Sequence, residues 1–336
     1  MQQLSFSFII PVYNRPEEIE ELLSSMSQFD FEGDFEIVII EDGSAKDSEA
    51  VVKKYSSQLH ISYYKKKNSG PGDSRNYGMR KAKGNYFIVL DSDCLLPEHY
   101  LTEVLKELTN DFVHCFGGPD AAHKSFSNVQ KAIDFVMTSF ITTGGIRGNK
   151  NSIDKFQPRS FNMGISKEAF EKTNGFGNIH PGEDPDLTFR IWENGYETRL
   201  FPNAFVYHKR RIDWKKFHLQ VKKFGMVRPI LNKWHPGTAK LTYWFPSIFC
   251  VGAISSALLL LISVVWPFYL LAGYIGIVFL MALISSKSFP VACCAIYALF
   301  IQFFGYGLGF LKSTMLVNFS GKEPEELFPK LFFKQG

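Results

Sequence analysis

Over the first ninety positions, short β-type runs alternate with stretches of helical period. "LSFSFIIPV" (4–12) and "FEIVII" (35–40) are predicted strands by length and β-branched or aromatic content, and "ISYYK" (61–65) and "NYFIVL" (85–90) add two more. Between them, "PEEIEELLSSMSQ" (16–28) spaces Ile19, Leu22, Leu23 and Met26 three or four apart behind a proline start. "DSEAVVKKYSSQ" (47–58) and "GDSRNYGMRKAK" (72–83) supply two further helices. This alternation predicts an α/β fold, a mainly parallel sheet with helices on both faces. In open sheets of that kind ligands bind beyond the carboxyl ends of the strands.

Polar residues collect at those ends. The first strand runs into Pro11-Val12-Tyr13-Asn14-Arg15, the second into Glu41-Asp42-Gly43-Ser44, and the fourth into Asp91-Ser92-Asp93, while "NSGPGDSRNYG" joins the third strand to its helix. Each feature alone has an ordinary structural explanation. Asp-x-Asp suits a strand-to-helix turn, and Asp42 in "DGS" can cap the following helix. Asp184 before Pro185 reads as a cap followed by a first-turn proline. Several such ends on one edge of one sheet describe a site.

The pattern changes near Lys240. From Leu241 to Leu311 the chain is dominated by apolar residues, with Lys287 its one charge, enough for two or three spans of roughly 20 residues. The expected spans are 243–263, 267–285 and 290–311, with a tight hairpin or a re-entrant helix as the alternative around Val265-Trp266-Pro267. Before them, ten Lys and Arg residues from Lys209 to Lys240 are opposed by Asp213 alone, interleaved with Trp214, Phe217, Phe224 and Trp234. That composition suits a cytoplasmic flank and helices lying on anionic headgroups. The net charge of +4 hides the asymmetry. Residues 6–12 are too short and too early for a signal peptide and lack a basic leader, so the expected location is the inner membrane with the soluble part in the cytosol. The five cysteines show no paired spacing, which argues against a zinc site or a disulfide framework.

The ordered series "FIIPVYNR", "IVIIEDGSAKDS", "NSGPGDSRNYGMRKAKG", "YFIVLDSD", "NMGISKEAFEKTNGF" and "GEDPDLTFRIWENGY" resembles the family-2 glycosyltransferases of the GT-A fold, inverting enzymes that use nucleotide sugars. The resemblance covers about residues 4 to 210, and the remainder of the chain resembles the membrane anchors of bacterial members. It implies a GT-A domain over 1–208, interfacial helices over 209–241, an anchor of two or three transmembrane helices over 242–312 and an amphipathic tail over 313–336.

Site roles come from the same resemblance. Asp93 would be a direct ligand of Mg²⁺ or Mn²⁺, with His208 after "AFVYH" as a further ligand, and Asp91 would face the ribose or a metal-bound water. Asp42 would read the nucleobase in a pocket lined by Pro11 and Tyr13, with Glu41 a bystander. Arg75 would reach the diphosphate or ribose, and Gly70 and Gly72 would let their loop approach the nucleotide. Asp184 matches the general base, with Glu183 and Gly164 on the acceptor side. The expected partners are a UDP- or GDP-linked sugar and a lipid-linked or other membrane-associated acceptor of a polysaccharide pathway, and no nucleic acid. Gln220-Val221-Lys222-Lys223-Phe224 departs from the Gln-x-x-Arg-Trp of processive synthases, which argues against processive synthesis. Two alternatives stand beside this reading: a polyprenyl-phosphate sugar synthase, using Arg210 and Arg211 for the lipid phosphate, and a nucleotide-sugar-binding scaffold without turnover.

Overall fold

The computed structural model describes residues 3–121, 127–143, 155–208 and 213–333. In chain order the elements are β1 (Phe6–Val12), α1 (Pro16–Met26), β2 (Phe35–Asp42), α2 (Glu49–Tyr55), β3 (Ile61–Lys66), α3 (Pro71–Lys81), β4 (Tyr86–Leu90), β5 (Cys94–Leu95), α4 (Tyr100–Asn110), β6 (Cys115–Gly117) and β7 (Asp120–Ala121). They continue with α5 (Asn128–Thr138), α6 (Phe140–Thr143), β8 (Asn162–Ser166), α7 (Lys167–Thr173), α8 (Glu183–Glu193), β9 (Thr198–Leu200), β10 (Val206–His208), α9 (Trp214–Trp234), α10 (Phe245–Leu260), α11 (Trp266–Ser286) and α12 (Phe289–Phe319). The chain divides into two compact units. The first takes the described residues within 1–123, 153–209 and 332–336, the second those within 124–152 and 210–331. Residues 127–143, expected in the catalytic domain, therefore group with the C-terminal helices.

The first unit is built on a seven-stranded sheet of order β3-β2-β1-β4-β8-β6-β9, parallel except for β8, which runs against both neighbours. Strands β1, β2 and β4 are buried on both faces and read as nearly continuous apolar runs, as a parallel sheet covered by helices requires. One core, around Phe8, Ile10, Leu22, Tyr86 and Tyr100, fills one face, and a second, around Ile9, Val38, Phe87, Met163 and Leu187, fills the other. The chain winds from β1 through β2 to β3 on one side and places β4 on the other side of β1, so the order reverses between β1 and β4. That reversal leaves a crevice at their carboxyl ends. A second sheet, β5-β10-β7, pairs His208 with Cys94. The tail also belongs to this unit: Phe332 bridges Ile179, and the Phe333 N–H donates to the Asn178 carbonyl at 3.0 Å.

In the second unit α9 and α12 pack at very close range. A Cβ on Gly225 would come within 2.2 Å of the Tyr306 carbonyl oxygen, and one on Gly309 within 2.7 Å of that of Lys222, so only glycine fits. Phe217, expected to face headgroups, is instead buried in this helical core beside Val221 and Ala295. Three helical segments among the described residues are long and apolar enough to cross a membrane: Leu241–Leu260, Trp266–Ser286 and Phe289–Phe319. On Trp266–Ser286 the most apolar stretch is only 11% buried, exposing Leu270, Ile277, Leu280 and Ile284 in a way that water would penalise and lipid would not. Helix α12 runs through Phe319, so the expected tail boundary at 313 falls inside a helix.

Candidate active site

A cleft of about 430 Å³ opens at the strand ends and is lined by Pro11, Tyr13, Arg15, Asp42, Gly70, Arg75, Asp91, Asp93 and Phe333, among others. Pro11, Tyr13, Asp42, Gly70, Arg75 and Asp91, assigned to the donor side by resemblance, are on this wall, while Gly72 of the same loop lies outside it; β1, β2 and β4 are adjacent and deliver their terminal residues to one edge, and α3 adds Arg75. The size is in the range of a small-ligand site.

At one end Asp42 is almost fully buried. One of its carboxylate oxygens accepts from Lys66 Nζ at 2.8 Å and from the Ser69 N–H at 3.0 Å, and the other accepts from the Gly70 N–H at 3.0 Å. Asp42 thus does not cap the helix after β2; it fixes the loop between β3 and α3. Hydrogen bonds to a charged acceptor are worth about 1.5–3 kcal/mol each, enough to hold Gly70 at φ +92°, a conformation most side chains disfavour. Glu41 is also an organiser, accepting from the Ser48 N–H at 2.9 Å and the Tyr63 hydroxyl at 2.8 Å.

At the other end His208 Nε2 lies 3.0 Å from Asp93 Oδ1, and Arg15 Nη1 is 3.8 Å from Asp93 Oδ2. The antiparallel pairing of β10 with β5 sets this contact, and Phe161 stacks on the His208 ring at 5.1 Å. Burial pulls the Asp93 carboxyl upward, but the hydrogen bond from His208, then the charges of His208 and Arg15, outweigh it and hold the group below its usual value. The pair fits a divalent cation, since adjacent positions of an octahedral site with ~2.1 Å bonds are about 3 Å apart. Cys94 Sγ is close enough to join them. However, burial, with the charges of Asp91 and Asp93 added, pushes its thiol well above the usual range, and it donates to the Phe161 carbonyl at 3.4 Å. A protonated thiol is a poor ligand, so of these three groups Asp93 and His208 are the ones that could hold a cation.

Arg75 joins the cleft to the third acidic group. Buried on α3, it donates to Asp91 Oδ1 at 2.8 Å and to Glu183 Oε1 at 3.4 Å, and Glu183 Oε1 also meets His180 Nδ1 at 2.8 Å. Both arginine bonds go to carboxylates, so the side chain, which also lines the cleft, ties Asp91 to Glu183. Removing one member of a buried ion pair costs about 3–5 kcal/mol.

Asp184 differs from all of these. Helix α8 is capped by Gly182 at φ +123°, so Asp184 sits inside the first turn and its carboxylate caps nothing. One oxygen accepts from the Ser160 N–H at 3.2 Å, and the other, Oδ1, is buried with no hydrogen-bond partner among the described residues. Burial, and then the Glu183 charge, raise the Asp184 carboxyl above its usual value despite Arg75 and Arg159. Next to it, burial would raise Glu183, but the His180 hydrogen bond and the His180 and Arg75 charges bring that carboxyl down to about 2. Two adjacent carboxylates are thereby set apart.

Gly164, expected on the acceptor side, lies buried in β8, where a Cβ would come within 1.9 Å of the Phe116 ring. Its requirement for glycine comes from core packing. Arg210 and Arg211 lie outside the described residues. His180, Lys66 and Phe333 join the site without a signal in the sequence pattern, because each meets its partners only through the tertiary fold.

Residues 7–173 match the family described as "Glycosyl transferase family 2". An uncharacterized glycosyltransferase of Rickettsia bellii is 31% identical over 198 residues, covering 57% of this chain and 27% of that protein. The chondroitin synthase of Pasteurella multocida is 25% identical over 242 residues, covering 62% of this chain and 25% of its own. This chain thus spans about a quarter of the length of these relatives. Among solved structures, a mannosyltransferase from Pyrobaculum calidifontis in complex with GDP-mannose and Mn²⁺ aligns with a TM-score of 0.59 at 14% identity, over 96% of this chain and 89% of that one, a likeness of fold. With the matching domain, the reversed strand order of its sheet and acidic residues at the ends of β2 and β4, the chain belongs to glycosyltransferase family 2 and has the GT-A fold.

Proposed function

We propose that the protein is a metal-dependent inverting glycosyltransferase that moves one sugar from a nucleotide-sugar donor to a membrane-associated acceptor, a lipid-linked glycan of a polysaccharide pathway. The observation that carries the reading is Asp184: a carboxylate with a buried oxygen that has no partner among the described residues and a raised pKa, tied through Glu183 and Arg75 to the cleft that holds Asp91 and Asp93. Leaving a buried acceptor unpaired costs about 1–3 kcal/mol, a cost that makes sense where a proton is to be received.

Asp184 takes the proton of an acceptor hydroxyl as that oxygen forms its bond to the anomeric carbon. On the opposite face the bond from that carbon to the diphosphate breaks, and the electron pair stays on the phosphate oxygen. Asp93 and His208 would hold a Mg²⁺ or Mn²⁺ ion, which supplies positive charge against the departing nucleoside diphosphate. Asp42, Pro11 and Tyr13 bound the nucleoside end, and Arg75 keeps Asp91 oriented. The mannosyltransferase solved with GDP-mannose and Mn²⁺ supports this choice of donor and ion.

The tail supports an anchor with an even number of crossings. Phe332 and Phe333 are bonded to residues 178 and 179 of the catalytic unit, so the chain leaves that unit and returns to it. Two of the three apolar helical segments would then span. We take these to be the adjacent Leu241–Leu260 and Trp266–Ser286, because their apolar stretches are 28% and 11% buried, against 50% in Phe289–Phe319. The catalytic unit would face the cytosol, where nucleotide sugars are made. Incubating the purified full chain in detergent with Mn²⁺ and a panel of UDP- and GDP-sugars tests the activity. Metal-dependent release of nucleoside diphosphate is expected, and none from any donor, with or without membrane lipid extract, would favour a scaffold. A reporter fused at the C-terminus should read on the same side as one at the N-terminus; opposite sides would require an odd number of crossings.

A further inference from the structure

The family match ends at residue 173, yet an aromatic residue 160 positions later lines the donor cleft. Phe333 comes after the three apolar helices in sequence and is held in place on the catalytic unit by backbone contacts. The Phe333 N–H donates to the Asn178 carbonyl at 3.0 Å, and Phe332 bridges Ile179. The Phe333 ring lies on the bare α-carbon of Gly70: a Cβ there would be 2.5 Å from the ring. Gly70 is the residue whose N–H is gripped by Asp42, so the ring belongs to the Asp42 end of the cleft. The His180 ring is 5.8 Å from it, and His180 holds Glu183. The ring is only partly buried, leaving surface on the cleft side.

We propose that Phe333 is a donor-site residue, the side wall of the cleft at its Asp42 end, against which the nucleoside of the donor packs. An aromatic face suits a nucleobase or the apolar edge of a ribose, and it adds to the apolar surface that Pro11 and Tyr13 offer in the same cleft. Gly70 is then required twice, for its positive φ and for the space the ring fills. The inference rests on the reading of this cleft as the nucleotide site.

The test is calorimetric titration of UDP and of GDP, each with Mn²⁺, into the full chain in detergent, with donor KM and kcat measured in parallel. For the nucleotide that wild type binds, Phe333→Ala should weaken affinity by about tenfold, the scale of one lost base–aromatic contact. Donor KM should rise by a similar factor while kcat changes by less than about threefold. Phe333→Tyr, which keeps the ring, should behave as wild type, and Phe333→Leu, which keeps bulk without a π face, should follow the alanine variant. If the alanine variant does not fold, the Tyr and Leu pair carries the comparison. Wild-type or tighter binding by Phe333→Ala and Phe333→Leu, with Asp42→Ala weakened, would overturn the role of Phe333 and leave the cleft assignment standing. Unchanged binding in Asp42→Ala as well, or no binding by wild type, would overturn the cleft assignment and this inference with it.

Discussion

The two acidic ends of the site solve opposite problems. At Asp91 and Asp93 each carboxylate meets a basic partner, Arg75 for one and His208 with Arg15 for the other, and the Asp93 carboxyl is held below its ordinary value. At Glu183 and Asp184 the close basic partners go to one member. Glu183 takes His180 and Arg75 and stays ionised, while Asp184 is left with a buried oxygen that no described residue partners and a raised affinity for a proton. On the proposed mechanism, one end keeps negative charge for a cation and the other picks up a proton. Pairs of carboxylates whose surroundings drive their pKa values apart mark different chemical roles.

Removing the charge at the first end should have the largest effect. Asp93→Asn keeps the shape and the contact with His208 but loses the anionic ligand, so Mn²⁺-dependent binding of the nucleoside diphosphate should vanish in calorimetry; unchanged affinity would remove Asp93 from the cation site. The second end should show in the pH profile. A base works deprotonated, so kcat/KM should fall as pH drops through the Asp184 pKa, with the acid limb centred above the ordinary 3.8. Glu183→Gln should move that limb to lower pH, because the Glu183 charge is one of the two causes raising Asp184. An unmoved limb would mean that another group controls it.

The smallest effect concerns stability. Because the folded-state pKa of Asp184 lies above its unfolded value, the folded chain binds the proton more tightly. This contribution is fully present below the unfolded pKa and is lost as pH rises through the folded one. At neutral pH the ionised group is therefore a net cost, and Asp184→Asn should melt at the wild-type temperature or above it. A clear drop would mean that the carboxylate stabilises the fold.

What the sequence disclosed was local. Strand ends are written in contiguous runs, so Asp42, Asp91 and Asp93 could be placed on one edge before their neighbours were known. Contacts made by register or by return of the chain left no such mark. His208 reaches Asp93 because β10 pairs with β5, more than a hundred positions away, and Arg75 finds Glu183 across a similar interval. Phe333 is further still. Two local features have geometric explanations that only the fold supplies. The Asp-Pro pair looked like a helix cap, but Gly182 occupies that position, and Gly164 makes room for the Phe116 ring.

The most direct test of the account is Asp184→Asn assayed for transfer and for donor binding on the same preparation. Turnover should fall by about 10²–10⁴, the scale of a lost general base. The affinity for nucleotide and Mn²⁺ should stay at wild type, since Asp184 is not among the residues lining the donor cleft. A variant that binds donor normally and turns over normally would contradict the assignment of the base and, with it, the division of labour between the two acidic ends.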